Sequence, residues 1–266
     1  MKIYYSELCL VNENLFDSIK RLMDHGADHI ELMLDGRSWD GYENRMDELC
    51  VQLNNYPVTY AIHSPVWNFN LAAASGYIRE ATLKAYKDSI IFAHKLKASH
   101  VVLHPGFADI PHDDKNYLKE LAGEAVIELS RFNESYQVDL LIENVGNNST
   151  SIFTMEEYVV FLNGLPDYMK YIVDLGHANI TGWDIPLLIK RLGSRLKAFH
   201  INDNDGERDI HMAMDEGTVN WKEVFQSIRA ENRSYDLILE YNVRTDLRKL
   251  EEGKIRLTEE LLKFRG

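Results

Sequence analysis

Cysteine, positive charge and long apolar runs are all scarce in this sequence. Only two cysteines occur among 266 residues, Cys9 and Cys50, and neither has the spacing of a metal or disulfide motif. We therefore interpret both as reduced core thiols of a cytoplasmic protein. No apolar run approaches the roughly 20 residues that cross a bilayer, and the first residues lack the charged-then-apolar pattern of a signal segment, so no membrane partner is expected. The net charge of −13 disfavours a broad basic face for nucleic acid.

Short apolar runs alternate with segments of helical spacing along the whole chain. An apolar content of 45% with 11% aromatic residues is sufficient for a packed core and excludes a disordered chain. The apolar runs predict eight strands, at Lys2–Leu8, His29–Leu34, Val58–His63, His100–Leu103, Val138–Glu143, Lys170–Asp174, Leu196–Ile201 and Asp236–Glu240. The helical spacing predicts helices at Leu15–Met23, Ile78–Leu96, Tyr117–Phe132, Met155–Leu162, Ile185–Leu192, Trp221–Ala230 and Leu247–Phe264.

This alternation is typical of an α/β fold in which eight strands and their helices close into a (β/α)8 TIM barrel. We predict one such domain over residues 1–266, because no linker, low-complexity run or shift in composition divides the chain. A doubly wound open sheet is the rival fold. Thr154 with Glu157 predicts a capping box at the start of a helix, and Asn220 is placed to cap the helix that begins at Trp221.

Six consecutive apolar runs each lead into a residue that can bind a divalent metal, at or next to the end of a predicted strand, and the loops that follow contain three more such residues. The strand-end residues are His63, His104, Glu143, Asp174, His200 and Glu240, and the loop residues are His177, Asp209 and His211. Taken singly, each has an ordinary explanation as a core or surface residue. In a (β/α)8 barrel, however, the carboxyl ends of the strands meet at one face. Imidazole and carboxylate together therefore predict a metal site there, with more than one ion in reach.

The segments around these residues resemble a known family. They are Ile62–Pro65, Val102–Gly106, Leu141–Asn144, Val173–Ala178, Phe199–Asp203, Asp209–His211 and Leu239–Glu240. Together they resemble the xylose-isomerase-like barrel superfamily, which includes endonuclease IV and many sugar-phosphate isomerases and epimerases. The resemblance covers essentially the whole chain.

The isomerase and epimerase branch of this superfamily implies one metal, held by Glu143, Asp174, His200 and Glu240. Glu143 and Glu240 would also transfer the proton of the sugar through an enediolate, with the metal polarising the carbonyl. His177 and His211 would bind substrate oxygens instead of an ion.

The endonuclease IV branch implies three zinc ions and a phosphodiester substrate. His63 and His104 would hold one ion, and Glu143 would bridge it to a second ion that also takes Asp174, His200 and Glu240. The third ion would be held by His177, Asp209 and His211. His63, His104 and Asp209 favour this branch, since a one-metal epimerase does not need them. The short acidic run over residues 201–208 disfavours contact with DNA phosphates.

We expect an enzyme with one to three divalent ions per chain (Zn, Mn or Co) that isomerises or epimerises a small sugar or sugar phosphate. The alternative is a zinc phosphodiesterase of the endonuclease IV type, and a metal-bound scaffold is a third reading. Arg37 is a candidate anchor for a phosphate or carboxylate, and Trp67 and Phe69 are candidates for an apolar wall against the sugar ring. Their ordinary alternatives are a solvated arginine and aromatic packing under a loop. The sequence leaves open the sugar, the metal and any homo-oligomer.

Overall fold

Eight parallel strands close into a barrel in the computed structural model, which describes residues 1–109 and 113–262. The strands are β1 Lys2–Ser6, β2 His29–Met33, β3 Thr59–His63, β4 Val101–Leu103, β5 Leu140–Glu143, β6 Met169–Asp174, β7 Leu196–Ile201 and β8 Asp236–Leu239. The barrel closes because β1 pairs with β8, with Tyr5 opposite Leu239. The predicted (β/α)8 barrel is confirmed.

Helices connect the strands on the outside of the barrel. The described residues form α1 Leu15–Asp24, α2 Met46–Leu53, α3 Gly76–Leu96, α4 Lys115–Asn133, α5 Met155–Val160, α6 Leu175–Ile180, α7 Ile185–Leu192, α8 Trp221–Ala230 and α9 Arg248–Leu257, which continues as a π-helical turn over Thr258–Leu262. Sequence reasoning missed α2 and α6. Phe264, the expected end of the last helix, lies outside the described residues. None of the described helices has both the length and the apolarity that a bilayer span requires.

Local capping fixes where two of these helices begin. The Thr154 hydroxyl accepts a hydrogen bond from the Glu157 amide at 3.2 Å, and the Glu157 carboxylate accepts one from the Thr154 amide at 2.9 Å. This is the predicted capping box. Asn220 caps α8 as expected, and Trp221 is buried at its first position.

Two layers of inward-pointing side chains occupy the middle and the mouth of the barrel. The lower layer, which we call the inner apolar ring, consists of Tyr4, Ala61, Val102, Leu141, Ile172, Ala198 and Ile238. Side chains along a strand alternate between its two faces, so the residue two positions further on also points inward. That step leads from Ala61 to His63 and from Leu141 to Glu143, and it does the same on β4, β6, β7 and β8. The strand register therefore raises the metal-type residues to the mouth of the barrel.

Candidate metal centre

The nine metal-type residues lie together at the carboxyl ends of the strands. Six of them are buried: His63, Glu143, Asp174, His177, His200 and Glu240. His104 and His211 are half-buried and Asp209 is exposed at the rim. The cluster therefore extends from the dry interior of the barrel to solvent, as a site that exchanges a ligand with solution requires.

The carboxylate of Glu143 is the centre of the cluster. Its Oε2 lies 3.3 Å from Nε2 of His63 and 3.1 Å from Nε2 of His104. Its Oε1 lies 3.2 Å from Nδ1 of His177 and 3.4 Å from Nδ1 of His200. One carboxylate thus faces four imidazoles on strands and loops that are far apart in the sequence. A carboxylate with both oxygens engaged in this way can bridge two cations.

His200 lies among three carboxylates. Its Nδ1 is 3.3 Å from Oε2 of Glu240, 3.4 Å from Oε1 of Glu143 and 3.8 Å from Oδ2 of Asp174. Despite these short distances, Nδ1 of this fully buried imidazole has no hydrogen-bond partner. Buried polar atoms are seldom left unpaired in proteins, so the geometry fits a cation that all four side chains would share.

Hydrogen bonds hold Asp174 in one orientation. Its Oδ1 accepts from the amide of His177 at 2.6 Å and so caps α6, while its Oδ2 accepts from Nδ2 of Asn202 at 2.6 Å. The amide group of Asn144 pairs with the Asp174 backbone in both directions, at 2.8 and 2.9 Å. Gly176 leaves room for this arrangement, because a Cβ there would come within 1.9 Å of the Asn202 Oδ1.

A second group forms around Asp209 at the rim. Its Oδ2 lies 3.0 Å from Nε2 of His177, and its Oδ1 lies 3.1 Å from Nε2 of His211. His211 also reaches Glu240, because its Nδ1 is 3.1 Å from the Glu240 backbone oxygen. The two groups are therefore continuous, with His177 shared between Glu143 and Asp209.

The hydrogen bonds of the imidazoles test whether the site fits a metal ion. Nδ1 of His63 donates to the backbone oxygen of Ser64 at 2.8 Å, and Nδ1 of His211 donates to that of Glu240. In a neutral imidazole, Nε2 then has a lone pair, and here it faces a carboxylate oxygen. Two acceptors in contact require a cation between them, either a proton or a metal. Among the residues that the structure describes, four triplets of ligand atoms lie within 4.8 Å of one another, one of them Glu143, Asp174 and His200, so the donor set fits divalent metal.

The electrostatics of the cluster favour positive charge. Burial alone would lower the pKa of His200, but Glu240, Glu143 and Glu31 raise it well above the ordinary value. Burial also opposes protonation of His63, yet its hydrogen bond to Glu143 and the nearby carboxylates raise its pKa to about 9. Burial would raise the pKa of Glu143, but His200 and His104 hold it well below the usual range. The carboxylates therefore favour positive charge at His63 and His200.

A cavity of about 530 Å³ opens above the cluster and is lined by several of its members together with Trp67, Phe107 and Asn242. Trp67 is 44% exposed, so an apolar surface is available beside the metal-type residues. Arg37 is exposed and lines a neighbouring cavity of about 550 Å³, together with Phe69. Of the three expected substrate contacts, only Trp67 lines the cavity above the cluster. Among residues 1–109 and 113–262, no lysine or arginine lines that cavity.

Three residues around the cluster were not assigned a role from the sequence. Asn144 and Asn202 orient Asp174, and Glu31 on β2 lies 3.3 Å from Nε2 of His200. Asn144 immediately follows Glu143, and Asn202 lies two residues after His200. These positions beside strand-end residues could have indicated that the asparagines support the cluster. Glu31 interrupts the apolar run of its strand between Ile30 and Leu32, and this interruption is the sequence feature that could have indicated a functional role.

The fold and the cluster together define a (β/α)8 barrel whose candidate metal ligands come from several strand ends. Over residues 19–264 the chain matches the xylose isomerase-like TIM barrel family, and it belongs to that family. Among curated proteins it is 27% identical to the inosose isomerase of Bacillus velezensis, over 77% of this chain and 73% of that protein. It is also 25% identical to a probable endonuclease 4 of Thermoplasma volcanium, over 57% of this chain and 55% of that protein.

Solved structures show the same fold. A D-tagatose 3-epimerase-like protein superimposes with a TM-score of 0.85 at 23% identity, covering 99% of this chain and 98% of the other. The IOLI protein, solved with a binding zinc atom, superimposes with a TM-score of 0.82 at 19% identity, covering 99% of both chains. Proteins from both branches considered above are therefore among the relatives.

Proposed function

We propose that this protein is a divalent-metal-dependent isomerase or epimerase that acts on a sugar or sugar phosphate. The observation that carries the proposal is the unpaired Nδ1 of His200, which lies within 3.8 Å of carboxylate oxygens from Glu143, Asp174 and Glu240. Two of these three carboxylates, Glu143 and Glu240, are glutamates at the ends of different strands. The names of the inosose isomerase and of the tagatose epimerase-like structure agree with this chemistry.

Zn, Mn or Co bound here would polarise the carbonyl and hydroxyl of a sugar and so weaken the neighbouring C–H bond. Glu143 and Glu240 would supply the base and the acid. They approach His200 from the ends of β5 and β8, which lie on different sides of the barrel mouth. A sugar between them would have one carboxylate near each face. One, as the carboxylate, would remove the proton from carbon and keep it, and the other, protonated beforehand, would donate its own proton to the opposite face of the enediolate.

The cavity is suited to a small substrate. Trp67 offers an aromatic face beside the cluster, and the cavity volume of about 530 Å³ is in the range of small-molecule sites. His177 and His211 at the rim would donate hydrogen bonds to substrate oxygens. Arg37 would act only on a substrate long enough to reach the neighbouring cavity.

A second candidate function is phosphodiester hydrolysis with three zinc ions. It is favoured by the two outer groups, His63 with His104 at Glu143, and His177 with His211 at Asp209. These groups could hold two ions in addition to the one beside His200, and three ions around a phosphate would activate water and neutralise charge.

The rim argues against a DNA substrate. Arg208, the only basic residue of the acidic run over residues 201–208, forms an ion pair with Asp205 at 2.7 Å. With no lysine or arginine among the described residues that line the cavity, little positive charge besides the ions would contact a DNA backbone.

The two functions predict different products. Protein stripped with chelator and reloaded with Mn²⁺, Co²⁺ or Zn²⁺ is incubated in D₂O with a panel of ketoses and their phosphates, and with an abasic duplex. We expect deuterium in the carbon-bound positions of a sugar, lost in Glu143→Gln and retained in Glu128→Gln, a control for an exposed glutamate that pairs with Lys87. Cleavage of the duplex with no exchange in any sugar would overturn the proposal in favour of the hydrolase.

A further inference from the structure

Glu31 is a charged residue in an apolar layer. It pairs in register with Ala61 of the inner apolar ring, so its side chain points into the barrel at that level. The seven members of the ring are uncharged, and Glu31 itself is fully buried. A carboxylate in such a place needs a specific partner, because burying an unpaired charge is costly.

Glu31 contacts the edge of the His200 imidazole that faces away from Glu143, Asp174 and Glu240. Oε2 of Glu31 lies 3.3 Å from Nε2 of His200, whereas Oε1 has no hydrogen-bond partner. Because an ionised carboxylate only accepts hydrogen bonds, the proton of this contact belongs to His200 Nε2. The neutral ring then has its lone pair on Nδ1, the atom that faces Glu143, Asp174 and Glu240.

Stability alone gives no reason for the Glu31–His200 pair. Replacing both residues by apolar side chains of similar size would extend the apolar interior, and such replacements of whole buried ion pairs are often neutral or stabilising. A carboxylate that fixes the tautomer and the ring orientation of a metal-binding histidine does give a reason. The cation that the site favours would also balance the buried charge.

We propose that Glu31 is a positioning residue of the metal centre, which accepts the Nε2 proton of His200 and thereby directs Nδ1 towards the ion. This inference rests on the proposed metal site beside His200. Glu31 touches neither the ion nor the substrate. Its effect is on how tightly the ion is held, and it acts through His200.

Two substitutions separate the hydrogen bond from the charge. Glu31→Leu removes both. Glu31→Gln can still accept from His200 through its amide oxygen but has no charge. We expect Glu31→Leu to raise the dissociation constant for Zn²⁺ or Co²⁺ by about 10- to 100-fold, and Glu31→Gln to raise it by less. The metal-free Leu variant should unfold at a lower urea concentration than the wild type, because the buried His200 loses one of its partners, so the test depends on the dissociation constant.

The measurements are a competition titration with a chromophoric chelator, urea unfolding of the metal-free proteins, and the visible absorption of the Co²⁺ forms. Glu7→Gln is the matched control. Glu7 is also a buried carboxylate at the end of a strand, but its bond is to Nε1 of Trp39 at 3.0 Å. Its Co²⁺ spectrum and dissociation constant should equal those of the wild type, whereas the Co²⁺ band should change in Glu31→Leu.

A purely structural role predicts a lower unfolding midpoint of the metal-free protein with unchanged metal affinity. Dissociation constants of Glu31→Leu within about three-fold of the wild type, well below the expected range, would overturn the inference. If the Leu variant fails to fold, Glu31→Met, which also removes both the charge and the hydrogen bond, decides by the same threshold. If the wild type binds no divalent ion, the proposed metal-dependent function itself fails, which is a separate result.

Discussion

Glu7 should make the barrel less stable as the pH rises. Its carboxyl is buried at the end of β1 among core side chains, and its Oε2 accepts a hydrogen bond from Trp39. Burial disfavours the charged form and raises the pKa of Glu7 from 4.5 to about 8, although Trp39 partly opposes this. The folded state therefore binds this proton more tightly than the unfolded state. Between pH 4.5 and about 8 the unfolded chain ionises first, so stability falls as the pH rises through this window.

The substitution Glu7→Gln removes this loss. Glutamine keeps an oxygen for the Trp39 hydrogen bond and has no charge to bury. The shift of the pKa to about 8 corresponds to an upper value of roughly 4 to 5 kcal/mol, at about 1.4 kcal/mol for each pH unit. Relaxation of the structure and water entry reduce that figure, so we expect Glu7→Gln to gain about 2 to 4 kcal/mol over the wild type between pH 5 and pH 9.

Urea unfolding of the metal-free proteins at half-unit pH steps measures this difference. Each free energy of unfolding is extrapolated to water, and only the difference between variant and wild type is used. The contribution of histidine protonation at the candidate metal centre to the free energy of unfolding then cancels, since both proteins contain these histidines. A difference that stays constant from pH 5 to pH 9 would show that Glu7 ionises normally in the folded protein and would refute the reasoning.

Two further predictions concern the core and the mouth of the barrel. Burial lowers the pKa of His100 to about 4, so stability is lost as the pH falls from 6.5 through 4. His100→Gln should reduce that acid loss by up to about 3 kcal/mol in urea unfolding, and equal acid loss in both proteins would contradict this. In Gly176→Ala the new Cβ would displace Asn202 from Asp174. We expect weaker metal binding by chelator competition and a cost of about 1 to 3 kcal/mol. Gly123→Ala, at a helical site without a close contact, should keep the wild-type metal affinity and gain up to about 1 kcal/mol of stability. Wild-type affinity in Gly176→Ala would show that Asn202 is dispensable.

The sequence predicted the strands well but missed two helices. All eight predicted strands occur within two residues of their expected ends, because buried parallel strands leave continuous apolar runs. The first strand stops at Ser6 since Glu7–Leu10 forms a 3-10 turn. The helices α2 and α6 are short. Helix α6 begins directly at the Asp174 cap, within a segment whose sequence indicates metal ligands but no helix. Short helices depend on tertiary packing more than on local sequence.

Strand-end position predicted which residues would meet but not how they are oriented. Residues such as His63 and Glu143 could be grouped because every strand of a parallel barrel ends at the same face. The roles of Asn202 and Glu31 depend on side-chain hydrogen bonds across strands that are distant in the sequence, and no local pattern encodes these. The cavity that Arg37 lines was likewise not evident from the sequence, since Arg37 follows β2 as expected but lines the neighbouring cavity.

The centre of the barrel couples the packing of the core to the chemistry at its mouth. On six strands a single two-residue step separates an apolar side chain of the inner ring from a metal-type side chain above it, as from Ala198 to His200. The lower layer therefore fixes the spacing of the upper one, and the six strand-end ligand residues meet without the help of a loop. At β2 the lower layer itself is charged, and Glu31 reaches upward to His200. Tight packing of a core resists small displacements, so the inner ring is expected to hold the imidazole and carboxylate atoms within coordination distance before any ion binds.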